Sequence, residues 1–320
     1  MSDALRQFAR RLGIGEAFQK LTLAAQVSLA DRAKILKTKA SLLEQIRNFP
    51  PIPVGSPDLE IHMLLHHERI FESLWSLYSL CRFAETPFGI TVHDDGSLTA
   101  EDAAMLRALF PGIRLIHRED SDPIVNEWLK AHGFRNSRRF RDGLVFGLKL
   151  FDPHVFRRAS EYILLDSDVL FFRRPAELLD SPAGESRFSV DMGYEGGFSH
   201  RVIGEITGIE DAIAVNAGLL RLNAQSIIPE RIEANLGNKI FWRNKDTPKW
   251  YAEQGLYGIE LHLGDARPLS DRYQLSERKF RGLSADAIHF CGGGIKPLRL
   301  YTHGIPYLAE LLKLPAGDRS

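Results

Sequence analysis

Tyr162-Ile163-Leu164-Leu165-Asp166-Ser167-Asp168-Val169-Leu170-Phe171-Phe172 is the stretch on which the reading of this chain turns. A short apolar run leads into two carboxylates two positions apart, and a second apolar run resumes at once. Such runs, set between helical patterns, read as buried strands of a parallel sheet. Carboxylates at the end of a buried strand are costly unless a cation meets them. In extended geometry residues i and i+2 project to the same side, so Asp166 and Asp168 can face one hard divalent ion, Mn²⁺ or Mg²⁺, with diphosphate oxygens in its remaining positions. The alternative is a solvated turn in which each aspartate caps backbone amides.

Outward from this stretch, β-rich and helical segments alternate. Strands are expected at Glu60–Leu65, Gly89–His93 and Ile113–His117, then at Phe188–Met192, Ala214–Leu222 and Ala287–Cys291. Helices are expected at Glu68–Ala84, at Thr99–Phe110 with Thr99 and Asp102 as a capping pair, and near 120–132 and 138–150. The order predicts an α/β fold with a mostly parallel central sheet flanked by helices. Residues 1–57 differ. They carry nine Lys/Arg against four Asp/Glu, and apolar residues at near-helical spacing stop at Pro50, Pro51, Pro53 and Pro57. This predicts a helical N-terminal extension with a proline-rich linker ahead of a domain spanning 58–320. A basic amphipathic helix either packs on its own domain or makes peripheral contact with an anionic membrane.

Over the whole chain 41 Lys/Arg balance 41 Asp/Glu, so no global field draws it to nucleic acid. The two cysteines, Cys81 and Cys291, form no metal-spaced set and suit a reducing compartment, which places the expectation in the cytoplasm, with the inner face of a membrane as the variant. No apolar stretch has the length of a membrane span. The sequence also lacks a Walker loop, a G-x-G-x-x-G after the first strand, an H-E-x-x-H helix and a Ser-His-Asp spacing. A D-x-D after an apolar strand also opens haloacid dehalogenase-type phosphatase domains, but there the strand begins the domain and here it lies halfway along.

The run YILLDSDVLFFRRPAELL resembles the D-x-D segment of GT-A fold glycosyltransferases, above all glycosyltransferase family eight, the family of glycogenin and lipopolysaccharide galactosyltransferases. Three later segments agree in order: Val215-Asn216-Ala217-Gly218-Leu219-Leu220, the pair Glu253-Gln254, and His289-Phe290-Cys291-Gly292 followed by Lys296-Pro297. The resemblance spans about residues 58–308. It departs at the end, with one extra glycine before Lys296 and Leu298 where the family has Trp, and after the first strand, where His66-His67-Glu68-Arg69 replaces an Asp-x-x-Tyr stretch.

The resemblance implies transfer of a sugar, with retention, from a nucleotide-diphosphate donor, a UDP-sugar first among the candidates, to a saccharide or lipid-linked acceptor. It implies Asp166, Asp168 and His289 as metal ligands and Lys296, with Gly292 and Gly293, at the phosphates. It places Lys149 near the donor, where a solvated helix lysine is the other reading. Gln254 matches the residue near the reacting face of the sugar. Asp191 and Asn216 follow successive strands and could bind sugar hydroxyls, and Asp95 either faces the nucleotide or makes the Asp94-Asp95-Gly96 turn. Arg135, Arg138, Arg139 and Arg141 read as a solvated helix start or an anion-facing cluster. A non-catalytic domain that binds nucleotide sugar or a partner protein is the competing class.

Overall fold

The computed structural model describes residues 29–55, 58–191, 200–242, 251–275, 284–291 and 299–313. Its centre is a sheet built from β1 (Glu60–Leu65), β2 (Gly89–Asp94), β3 (Arg114–Ile116), β4 (Glu161–Leu165), β6 (Arg187–Val190), β7 (Val215–Asn223) and β8 (Arg267–Pro268), in the order β3-β2-β1-β4-β7-β6-β8. The first four are parallel, with Glu60 opposite both Gly89 and Tyr162. From β4 to β7 and from β7 to β6 the pairing is antiparallel. β8 then pairs parallel with β6, so the sheet is mixed but mostly parallel, as the β-helix alternation implies.

Period-two alternation sends β4 into two cores. Ile163 and Leu165 join one with Ile61, Met63 and Val92, while Tyr162 and Leu164 join the other with Leu220 and Leu222. Against the first core lie α1 (Leu29–Arg47), α2 (Ile70–Ala84) and α3 (Ala100–Leu109). Leu42 and Ile46, one turn apart on α1, are buried in that core. The Thr99/Asp102 pair forms the expected capping box on α3. The second face carries α4 (Arg118–Ala131), α5 (Arg135–Gly143) and α6 (Phe146–Phe156), then, past α7 (Ala176–Leu179) and α8 (His200–Thr207), α9 (Pro229–Gly237) and α10 (Tyr251–Leu263).

Two differences from the sequence reading have local causes. The helix expected at 138–150 is two helices, because Leu144 takes an extended conformation (φ −142°, ψ 128°). Gly147 then backs onto the first helix so closely that a Cβ there would lie 2.5 Å from the Arg141 Cα. Arg141 is also not part of a solvated cluster: it is buried, with Nε 2.8 Å from Asp152 Oδ1 and Nη1 2.8 Å from Asp122 Oδ1.

After Leu165 the chain leaves the large sheet and within three residues enters a second one, ordered β5 (Val169–Phe171), β10 (Ala287–His289), β9 (Tyr273–Leu275). β10 runs antiparallel to β5 and sets His289 opposite Val169. Asp166, Ser167 and Asp168 thus form the seam between two sheets. The chain closes with a π-helical turn (Leu300–Gly304) and α11 (Ile305–Leu311). Among the described residues no helix is long and apolar enough to cross a membrane.

Candidate functional site

At the seam the backbone is pinned from three sides. Asp166 N–H donates to Gly218 O on β7 at 2.8 Å, Ser76 Oγ on α2 donates to Asp166 O at 3.1 Å, and Phe290 N–H donates to Asp168 O at 2.9 Å. Peptide groups held this way leave the two carboxylates to face the same space, open enough that their side chains are 35% and 25% exposed.

His289 completes the group. Its Nδ1 is 2.8 Å from Asn216 Oδ1, which also accepts Gly218 N–H at 3.0 Å, so the oxygen identity of that amide atom is fixed twice. Nδ1 must then carry the proton, and Nε2 turns to the aspartates, 3.0 Å from Asp168 Oδ1 and 3.8 Å from Asp166 Oδ2. The ring lies on β7 only because residue 218 has no side chain: a Cβ there would sit 2.1 Å from His289 Cε1. The Asn-Ala-Gly segment therefore supplies one orienting acceptor and one vacancy in the strand surface.

One ligand atom from each of Asp166, Asp168 and His289 lies within 4.8 Å of the others, and this is the one such group among the described residues. Ligands around an ion with bonds of about 2.1 Å stand roughly 3 Å apart when adjacent and about 4.2 Å apart when opposite, and the His289 distances of 3.0 and 3.8 Å lie within that range. Buried Nε2 makes no aligned hydrogen bond and faces the two aspartates, as a ligand atom aimed at an ion would. Without a metal the charges compensate internally. Burial pulls the imidazole pKa down, yet the Asp168 carboxylate, with Cys291, lifts it well above the ordinary value. Asp168 is raised by burial but held below the usual carboxylate range by His289.

Lys149 reaches the same seam from α6. It is buried, with Nζ 2.7 Å from Asp166 Oδ1, 2.8 Å from Ala217 O and 3.4 Å from Glu253 Oε1. The solvated reading of this lysine is set aside. Burial opposes its charge, but Asp166 and Glu253 more than offset that and raise its pKa. Glu253 pays the other side of the balance: burial pushes its carboxyl up to about 7 against the pull of Lys149. One residue on, Gln254 is locked at both ends of its amide, accepting Ala217 N–H at 3.3 Å and donating to Asp191 Oδ2 at 2.8 Å. Asp191, Gln254, Ala217, Asn216, Lys149 and the metal-type group are thus joined by one network.

Asp95 stands apart from this network. Its Oδ1 accepts Ser97 N–H and Oγ–H at 3.1 and 2.5 Å, which is the turn-making role, and its Oδ2 is 4.0 Å from His66 Nε2. Gly292, Gly293 and Lys296 lie outside the described residues. Ser76, Gly218 and the Lys149–Glu253 pairing did not emerge from the sequence as functional. Glu253 and Gly218 stand inside quoted motifs without a role assigned to them, whereas Ser76 carried no signal beyond its place in an apolar helix.

No family model matches the chain, and no curated protein matches it by sequence. Among solved structures it is similar to the apo form of the WbbM bifunctional glycosyltransferase, with TM-score 0.53 and 15% identity over 83% of this chain and 53% of that one. It is similar also to the galactosyltransferase LgtC in complex with donor and acceptor sugar analogs, with TM-score 0.52 and 17% identity over 81% and 99%. Mouse xyloside xylosyltransferase 1 in its apo form gives TM-score 0.50 and 12% identity over 74% and 97%. The chain thus matches about half the length of WbbM and nearly all of LgtC. It has the GT-A fold and resembles family eight, as the ordered motifs implied.

Proposed function

We propose that this protein is a metal-dependent glycosyltransferase that moves a sugar, with retention, from a nucleotide-diphosphate donor, first of all a UDP-sugar, to a saccharide or lipid-linked acceptor. The observation that carries the reading is the convergence of Asp166, Asp168 and the orphaned His289 Nε2 at the seam between two sheets. These three residues would hold Mn²⁺ or Mg²⁺, which when bound supplies positive charge to offset the negative charge growing on a diphosphate leaving group. LgtC, a structural relative, is described with donor and acceptor sugar analogs, which supports a saccharide on both sides of the transfer.

The chain's own residues have separable tasks. Lys149 fixes the rotamer of Asp166 and neutralises part of the acidic site. Asn216 holds the His289 tautomer that leaves Nε2 free. Gln254, with its amide fixed by Ala217 and Asp191, offers a rigid polar group to the reacting face of the sugar, where an oxocarbenium-like centre needs stabilisation without a strong competing nucleophile.

A thermal-shift panel of nucleotide sugars with and without Mn²⁺, read beside donor turnover, tests this. At a ligand concentration near 100 times Kd the native state gains about 2.7 kcal/mol. The melting temperature of wild type should rise by several degrees with donor only when Mn²⁺ is present. Asp168→Asn should lose that rise and at least about 100-fold in turnover while melting, ligand-free, close to wild type. Undiminished turnover in Asp168→Asn contradicts the assignment. A donor-induced shift with no turnover to any acceptor or to water favours the non-catalytic binding domain.

A further inference from the structure

A second polar cluster ties the first described helix to the last. Lys39 on α1 places Nζ 3.2 Å from Glu72 Oε1 and 3.4 Å from the Tyr301 hydroxyl, and 5.1 and 4.8 Å from the ring centroids of Phe71 and Tyr301. The Tyr301 hydroxyl donates to the same Glu72 oxygen, and Arg69 Nη1 stands 3.7 Å from it. Glu72 is 1% exposed, and its other oxygen has no hydrogen-bond partner among the described residues. A carboxylate so deeply placed is tolerable only while its cations stay. That α1, α2 and the π-helical turn all converge on one oxygen makes their mutual distances stiff.

The turn that Tyr301 anchors leads directly to the metal-type group. A π-helical segment is a widened, less favourable turn, met where side chains must be set at an offset that an α-helix would not give. Gly304 ends this one, and it lies under the Phe290 ring: a Cβ there would be 2.5 Å from Phe290 Cζ. Phe290 follows His289, and its N–H holds Asp168 O. Contact therefore runs from Lys39 through Glu72 and Tyr301 to Gly304, then through Phe290 to both the imidazole and the second aspartate. Further along, Gln45 Nε2 of α1 donates to Ala309 O of α11 at 3.4 Å, which ties α1 also to the helix that follows the π-helical turn.

We propose that Lys39, Glu72 and Tyr301 are positioning residues that seat the π-helical turn against Phe290 and so set the spacing of His289 from Asp168. The N-terminal helix is on this view a working part of the ion site. The inference rests on the metal reading given under Proposed function. Metal bonds tolerate only about 0.2 Å of error, so a small slip of Phe290 is enough to be felt.

The test uses the full chain and Mn²⁺ alone as probe, with free Mn²⁺ counted by electron paramagnetic resonance, alongside donor KM and kcat. Tyr301→Phe removes one hydroxyl, and Lys39→Met removes the cation. Each should weaken Mn²⁺ binding about tenfold, the lower end of what loss of a supporting partner costs a metal site. Donor KM should rise at limiting Mn²⁺, with kcat recovering to within about twofold at saturating Mn²⁺. Lys39→Arg should restore binding. Should Lys39→Met fail to fold, Tyr301→Phe and Gly304→Ala, which forces the Phe290 ring aside, decide the matter. Wild-type Mn²⁺ affinity in Tyr301→Phe, with only the melting temperature lowered, overturns the proposal and leaves the cluster as a stability element. A wild-type protein that binds no Mn²⁺ refutes the metal reading itself, so the two failures are distinguishable.

Discussion

His289 and the pair His62 and His93 are all buried imidazoles near carboxylates on one molecule, yet they settle in opposite charge states. At the seam the Asp168 carboxylate, with Cys291, outweighs the effect of burial on one ring. In the middle of the parallel half, one glutamate serves two rings and is already engaged by the N–H groups of Arg158 and Ala159 at 2.6 and 3.2 Å. Burial therefore wins there and lowers both histidines, His93 well below the ordinary value, while Glu60, raised by burial but held down by His62 and those amides, falls to about 2. With both rings neutral the donors line up in one direction. His62 Nε2–H points to Glu60 at 3.3 Å, His93 Nε2–H points to His62 Nδ1 at 2.8 Å, and the series ends on the His93 Nδ1 lone pair, which has no partner among the described residues. What sets the candidate ion site apart from this sealed pair is that its carboxylates outnumber its imidazole and still reach water.

The largest effect that would break this contrast is expected at Lys149. Lys149→Met leaves the buried Glu253 without its cation beside the partly exposed Asp166, and urea denaturation should show a loss of about 3–5 kcal/mol. A loss below about 1 kcal/mol would mean that the seam is as wet as an ordinary surface. Next comes Asn216→Ala, which removes the acceptor that fixes the His289 tautomer. Mn²⁺ affinity should fall by about 10- to 100-fold, as for other metal sites that lose such a partner, measured by calorimetric titration.

The smallest effect concerns the sealed pair and is a pH dependence. Unfolded histidines take up protons near 6.5, whereas folded His62 and His93, and His154, which burial and Arg157 push down to about 4, resist them. Below pH about 6.5 the unfolded state thus binds more protons, and stability falls by up to about 1.4 kcal/mol per pH unit for each ring. His289, raised in the folded state, has the opposite sign. Its contribution grows as pH falls to about 6.5, and Glu253, whose folded carboxyl is pushed up to about 7, also takes up a proton in this range, so the two offset part of the decline from the three rings. Urea midpoints at pH 7.0 and 5.5 should show the drop, and an increase on acidification would erase the distinction between the two clusters.

Much of this architecture was legible because it is written locally. The run around Asp166 and Asp168, the strands from Glu60 to Leu65 and Gly89 to Asp94, and the Thr99–Asp102 cap each depend on residues a few positions apart. What escaped depends on remote partners. Lys149 reads equally as a donor contact or a solvated helix residue until the break at Leu144 re-aims α6 and its Nζ meets Ala217 and Asp166. Arg141 reads as one of four exposed arginines until Asp122 and Asp152 close around it. Gly218 lies in an apolar strand, and only the ring of His289 packed on it reveals why no larger residue fits.

That the seam joins two sheets has a consequence for biogenesis. Among the described residues β5 pairs only with β10, and β10 is delivered to it late in the chain. While the ribosome is still making the intervening segments, Asp166 and Asp168 can already stand at the end of β4, but the strand beyond them has no neighbour and the histidine does not yet exist. The Asp-Asp-His group is therefore incomplete until β10, the strand that completes the smaller sheet, has been made.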